Sequence, residues 1–131
     1  MILDASYLFD LTSHDSNAFE RRVEISECGE IQWVPTPVIA ETYYGETTER
    51  SDTTEEEIRN RLLGYPRIDV NEEIARSAGQ LLAKADDRAG GNAGVGLSDA
   101  YIAATAELLG QSVLTANVTD FEKLGVPVET Y

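Results

Sequence analysis

Residues 1–11, MILDASYLFDL, pass from an apolar pair to an acid and two small residues, and then into the start of a helix. Ile2-Leu3 reads as a short strand that ends at Asp4, Ala5 and Ser6. The same order recurs along the chain. SVLTAN (112–117) is a short buried strand, and TDFEKLG (119–125) a short helix with Thr119 and Glu122 as its capping box. EIQWVPTPV (30–38) is extended and punctuated by Pro35 and Pro37, and VIAETYYGE (38–46) is a helix with no breaker before Gly45. YPRIDV (65–70) is a strand candidate. Asn71 then caps a helix whose Ile74, Ala78, Leu81, Leu82 and Ala85 form one apolar face. Short apolar strands alternating with helices predict an α/β fold with a parallel sheet.

The remaining segments fit this alternation. Residues 15–28 carry Phe19, Val23 and Ile25 at helical spacing, and SDTTEEEIRNRLLG (51–64) opens with a Thr54/Glu57 capping box and ends at Gly64. DRAGGNAGVG (87–96) is a glycine-rich loop. LSDAYIAATAELLG (97–110) is a helix with Ser98 as its N-cap and Asp99 in its first turn. VPVETY (126–131) is a last extended piece. No repeat or linker divides the chain, so residues 1–131 are expected to form a single domain.

Composition narrows the function classes. No apolar run approaches the roughly 20 residues that a membrane-spanning helix needs, and residues 1–11 carry two aspartates and no basic start. A cytoplasmic protein with no membrane partner is the expectation. One cysteine, Cys28, and one histidine, His14, exclude an intramolecular disulfide and a Cys/His zinc site. Twenty-four acids against ten basic residues give a net charge of −14, and Lys84 and Lys123 are the only lysines. The excess is spread along the chain, so it describes a folded surface. Such a surface repels itself unless salt screens it. Together with the scarcity of lysine, it resembles the surface of proteins from salt-accumulating halophiles, and a halophilic archaeon is the expected source.

Four acids stand at comparable points. Asp4 follows the first strand, where open α/β sheets bind ligands. Glu41 lies early in the helix after residues 31–38. Asp99 starts a helix after the glycine-rich loop, and Asp120 starts one after SVLTAN. In a parallel sheet such points lie on one edge, so the four can converge. Two like charges at 4 Å repel by about 4 kcal/mol at an effective dielectric of 20. Convergence therefore calls for protonation or a cation, and an all-oxygen ligand set favours Mg²⁺ or Mn²⁺. Such a cation can bind a phosphate oxygen and activate water against a phosphodiester. By contrast, Glu46, Glu49, Asp52, Glu55, Glu56 and Glu57 read as a solvated charged face. Thr115 reads as a strand residue, and Trp33, Tyr43, Tyr44 and Tyr101 as core or dimer interface. Arg88 reads as a phosphate contact or a surface ion pair.

MILDAS, TPVIAETYYG, LSDAYIAATA and LTANVTDFEKL resemble the four motifs of PIN-domain ribonucleases, in that order and at their usual spacing. The resemblance spans essentially the whole chain, and its size is similar to that of VapC-type toxins of type II toxin–antitoxin pairs. It implies a three-layer α/β/α sandwich with a short parallel sheet. It also implies metal-dependent endonuclease action on RNA, a homodimer and an antitoxin partner. Asp4, Glu41 and Asp99 would be the three core acids, and Asp120 the fourth metal-binding and catalytic one. Other members carry an acid where Asn117 stands, which leaves the choice between Asn117 and Asp120 open. Ser6 matches a small hydroxyl residue of the first motif and would support the site with Asn117, whereas Ala5 departs from the common threonine.

Two other readings compete. One is a PIN fold kept as a catalytically weak binding or regulatory module; three crowded acids argue against it. The other is a receiver-like phosphoacceptor domain, which would want paired acids beside the first strand and a lysine after a late one. The chief objection to a nuclease is the lack of a basic footprint. High salt screens repulsion but also weakens Lys/Arg–phosphate binding, so binding would rest on metal bridging and local contacts to unpaired RNA. The sequence does not choose between tRNA, rRNA and mRNA as substrate.

Overall fold

The computed structural model describes residues 1–50 and 52–131. Ser51, at the head of the segment quoted above for the fourth helix, lies outside the described residues. The elements are β1 (Ile2–Leu3), α1 (Ala5–Thr12), α2 (Ser16–Glu27), β2 (Val34–Pro35), α3 (Thr36–Glu49), α4 (Glu55–Leu62), β3 (Arg67–Ile68), α5 (Glu72–Arg88), α6 (Leu97–Leu109), β4 (Val113–Leu114), α7 (Val118–Leu124) and β5 (Val128–Glu129).

All strand pairs are parallel: β1 with β4, β4 with β5, and β2 with β3. A parallel bridge between Ile2 and Trp33 joins the two groups, with Leu3 N–H donating to Trp33 O and Trp33 N–H to Met1 O, each at 2.9 Å. The strand order is therefore β3-β2-β1-β4-β5, and the chain reverses its direction of travel across the sheet between β1 and β4. In such sheets the carboxyl ends of the strands at the reversal form a crevice. Ile2, Leu3, Val34, Val113 and Leu114 are fully buried, as a parallel sheet covered on both faces requires. Helix α1 packs on α2 and α3, α3 packs on α4, helices α5, α6 and α7 pack together, and α3 meets α6. The expected α/β/α sandwich is what forms.

Several local expectations need correction. Helix α3 begins at Thr36, takes Pro37 into its first turn and runs through Gly45. Proline is tolerated there because first-turn N–H groups have no intrahelical acceptor. An interior glycine costs only about 1 kcal/mol against alanine. Gly96, not Ser98, caps α6. Helix α7 starts at Val118 with Asn117 at the cap position, so the Thr119/Glu122 box does not form. The Asn117 N–H donates to Thr115 Oγ1 at 2.8 Å, which turns the chain before Thr119. The apolar residues of α2 do not share a buried face: Ile25 is buried, but Phe19 and Val23 are exposed. Tyr44, read as core or interface, is 74% exposed. Glu46, read as solvated, is 2% exposed. It accepts from Thr12 Oγ1 at 3.1 Å and pairs with Arg50 at 3.4 Å and Arg61 at 3.1 Å, because α1 and α4 close over that face of α3.

Candidate active site

The site is built at the crevice between β1 and β4. Asp4 leaves β1 and is only 5% exposed. Its N–H donates to Leu114 O at 3.1 Å, so backbone pairing with the neighbouring strand fixes its position. Its Oδ2 accepts from Ser6 Oγ at 2.6 Å and from Thr115 Oγ1 at 2.7 Å. The two hydroxyls stand 3.2 Å apart, and the Ala116 N–H donates to Ser6 Oγ at 3.0 Å. Thr115 is fully buried. It holds the Asp4 carboxylate in one orientation, a role that its place in an apolar strand did not signal.

Glu41 projects from α3 and Asp99 from the first turn of α6. Burial raises the Glu41 pKa to about 7, and the charges of Asp4 and Asp99 push it the same way, with the nearby Ser98 hydroxyl pulling it down. Ser98 does not cap the helix. Burial likewise raises Asp99 to about 6, with Asp4 and Asp120 adding repulsion and the Gly96 backbone offsetting part of it. The charges of Asp4 and Asp99 thus act on Glu41, and those of Asp4 and Asp120 on Asp99. Asp120 sits in the first turn of α7. Its Oδ2 accepts from Asn117 Nδ2 at 2.8 Å, and its Oδ1 faces Lys123 Nζ at 3.4 Å. Asn117 therefore orients Asp120. Arg88 Nη2 donates to Lys123 O at 2.6 Å, and Arg88 forms no ion pair among the described residues.

Could these residues hold a divalent cation? The donors are all oxygens, as Mg²⁺ and Mn²⁺ prefer. Glu41 Oε2 is buried without a hydrogen-bond partner, an arrangement that is costly unless something else satisfies it. A cation would also relieve the repulsion that raises Glu41 and Asp99. The residues fit the ion. Among the described residues, however, no group of three or more acidic, histidine or cysteine side chains stands placed to hold a metal ion.

The comparisons with known proteins agree with the fold. The PIN domain family matches residues 1–127. No curated protein sequence matches the chain. Among solved structures, the chain is similar to VapBC2 from Rickettsia felis bound to a promoter DNA fragment, at 18% identity and a TM-score of 0.76, over 99% of this chain and 97% of that one. It is similar to a toxin–antitoxin complex from Klebsiella pneumoniae at 24% identity and a TM-score of 0.74, over 98% and 95% of the two chains. It also resembles VapC20 from Mycobacterium tuberculosis, a sarcin–ricin loop cleaving toxin, at 15% identity and a TM-score of 0.69, over 95% of each chain. A family match over nearly the whole length, on a sheet whose strands all pair in parallel, means that this chain belongs to the PIN domain family.

Proposed function

We propose that the protein is an Mg²⁺- or Mn²⁺-dependent endoribonuclease, the toxin of a toxin–antitoxin pair, and that Asp4, Glu41, Asp99 and Asp120 hold the cation. The observation that carries this reading is that Asp4 is fixed and buried at the β1/β4 crevice, and that burial together with its charge raises both Glu41 and Asp99. A bound divalent cation would polarise the phosphodiester and make water a better nucleophile at neutral pH.

The chain's own residues supply the rest. Thr115 and Ser6 occupy Asp4 Oδ2 and so orient its carboxylate. Asn117 does the same for Asp120. Glu41 Oε2 has no competing hydrogen bond, which suits Glu41 to orient the attacking water or accept its proton. The toxin assignment draws on the similarity to VapBC2, the Klebsiella toxin–antitoxin complex and VapC20. With it we propose an antitoxin partner, a homodimer, a cytoplasmic setting and an unpaired segment of tRNA, rRNA or mRNA as substrate.

One observation favours the alternative of a catalytically weak binding or regulatory module: the described acids do not already form a closed cage. Cleavage of tRNA, rRNA and mRNA by purified protein in molar KCl with Mn²⁺ separates the two. Losing an outer-shell partner of a metal ligand typically costs about 10–100-fold, so Asp4→Asn and Asp99→Asn are each expected to lower the rate by about 100-fold or more. EDTA is expected to abolish cutting. Equal cutting by the variants, or none by the wild type, would hand the argument to the binding module.

A further inference from the structure

Next to the acids lies a cavity of about 330 Å³, within the ~300–1,000 Å³ range of small-ligand clefts. Ser6 and Glu41 belong both to this cavity and to the candidate active site, so a group bound here adjoins the acids. Beyond them the lining includes Phe9, Asp10, Gly45, Glu46 and Glu49, and no lysine or arginine. A phosphate would be repelled by such walls. A flat neutral group with hydrogen-bond donors on its edge would be accepted.

Two of the walls are held in place. Asp10 Oδ2 accepts from Tyr131 Oη at 2.7 Å, and the Tyr131 ring meets Tyr7 edge-on with centroids 5.2 Å apart. A carboxylate has about four lone-pair sites, so Asp10 keeps the capacity to accept two parallel donors. The Arg50 guanidinium packs on the Phe9 ring, 4.3 Å from its centroid. A side chain started at Gly45 would meet no atom within 4 Å. The missing side chain there leaves room for a guest.

We propose that this cavity receives the RNA base next to the scissile phosphate and selects guanine, whose N1–H and N2–H₂ donors pair with the Asp10 carboxylate. The proposal rests on the nuclease reading of the adjacent acids. Guanine is the one standard base with two adjacent donors on its Watson–Crick edge. Unpaired RNA bases are read on that edge and stacked on aromatic side chains, and Phe9 is the aromatic wall.

Fluorescence anisotropy tests it without cutting. Wild-type protein with Ca²⁺ in place of Mn²⁺ is titrated with short single-stranded RNAs that differ only in one guanine, inosine or adenine. Inosine lacks the N2 amine, so the guanine RNA is expected to bind about tenfold tighter than the inosine RNA. Asp10→Asn offers a donor where an acceptor is needed and should bring that ratio close to one. Gly45→Leu has space for its side chain and a better helix former. It should fold, fill the cavity and lower guanine RNA to the affinity of adenine RNA. Equal binding of guanine and inosine RNA by the wild type, including no measurable binding of either, overturns the proposal. So does an unchanged ratio in folded Asp10→Asn, or a ratio erased by Glu49→Gln alone. A guanine preference without RNA cutting would count against the nuclease reading only. Cutting without the preference would count against this proposal only.

Discussion

At the scale of single residues, an unfolded-state acid of ordinary pKa becomes a strained one in the site. Glu41 rises from 4.5 to about 7 and Asp99 from 3.8 to about 6, burial leading in both cases. Raised carboxyl pKa values mean that the folded state holds more protons than the unfolded state between about pH 4 and 7. Stability from these two groups is therefore fully present below their unfolded pKa values and lost as pH rises through the folded ones. A cation that binds the ionised carboxylates reverses that loss. Mn²⁺ is thus expected to raise the thermal midpoint more at pH 8 than at pH 5, where protons compete for the same oxygens. A melting series with Mn²⁺ or EDTA checks this, and a gain independent of pH would contradict it. The four acids were legible as residue types at strand-to-helix junctions. Thr115 and Ser98 were not, because a hydroxyl in an apolar strand or a helix's first turn has an ordinary local use, and only the fold shows which carboxylate it meets.

At the scale of elements, caps and apolar stripes explain which helices could be read. Helix α5 has a complete set of signals: Asn71 accepts from the Ile74 N–H at 2.9 Å, and Ile74, Ala78, Leu81 and Ala85 are buried. It packs along α6, which carries Asp99. Asn71→Ala is expected to cost about 1 kcal/mol, or about 4 °C in thermal midpoint for a domain of this size. Mn²⁺ binding should be retained, since the cap touches no acid of the site. Calorimetry with and without Mn²⁺ reads both quantities. The misread boundaries have a common cause. Ser98 and Thr119 are good caps by type, but the caps lie two residues earlier, at Gly96 and Asn117, and the helices start at Leu97 and Val118. Only a fraction of a kcal/mol separates one capping residue from another, so neighbouring contacts move the start; at α7 the Asn117 N–H bonds Thr115, whose hydroxyl is held by Asp4.

At the scale of the whole molecule, charge dominates. With a net charge of −14, much of the small basic complement is already engaged. Arg21 pairs with Glu24 and Glu129, Arg50 and Arg61 with Glu46, and Arg88 with a backbone carbonyl. Little cationic surface is left to hold phosphates, so the proposed RNA binding would lean on a cation and on base contacts. Raising KCl from 0.1 to 1 M shortens the Debye length from about 10 to 3 Å. The thermal midpoint is expected to rise by about 5–10 °C as self-repulsion is screened, and RNA cutting should persist in molar salt. A flat or falling midpoint across a KCl series, or cutting confined to low salt, would point to an ordinary acidic protein instead.

The sequence by itself determined the alternation of short apolar strands with helices, the parallel sheet, and the four acids at junctions, because periodicity, breakers and residue type are local properties of the chain. Tertiary structure alone decided the strand order and the hydroxyls that hold Asp4. It also buried Glu46 under α1 and α4 and left Phe9, Asp10 and Gly45 lining a cavity beside Glu41. These depend on which distant segments pack together. Packing is set by the sum of many burial and hydrogen-bond terms across the molecule, and no single stretch of sequence carries it.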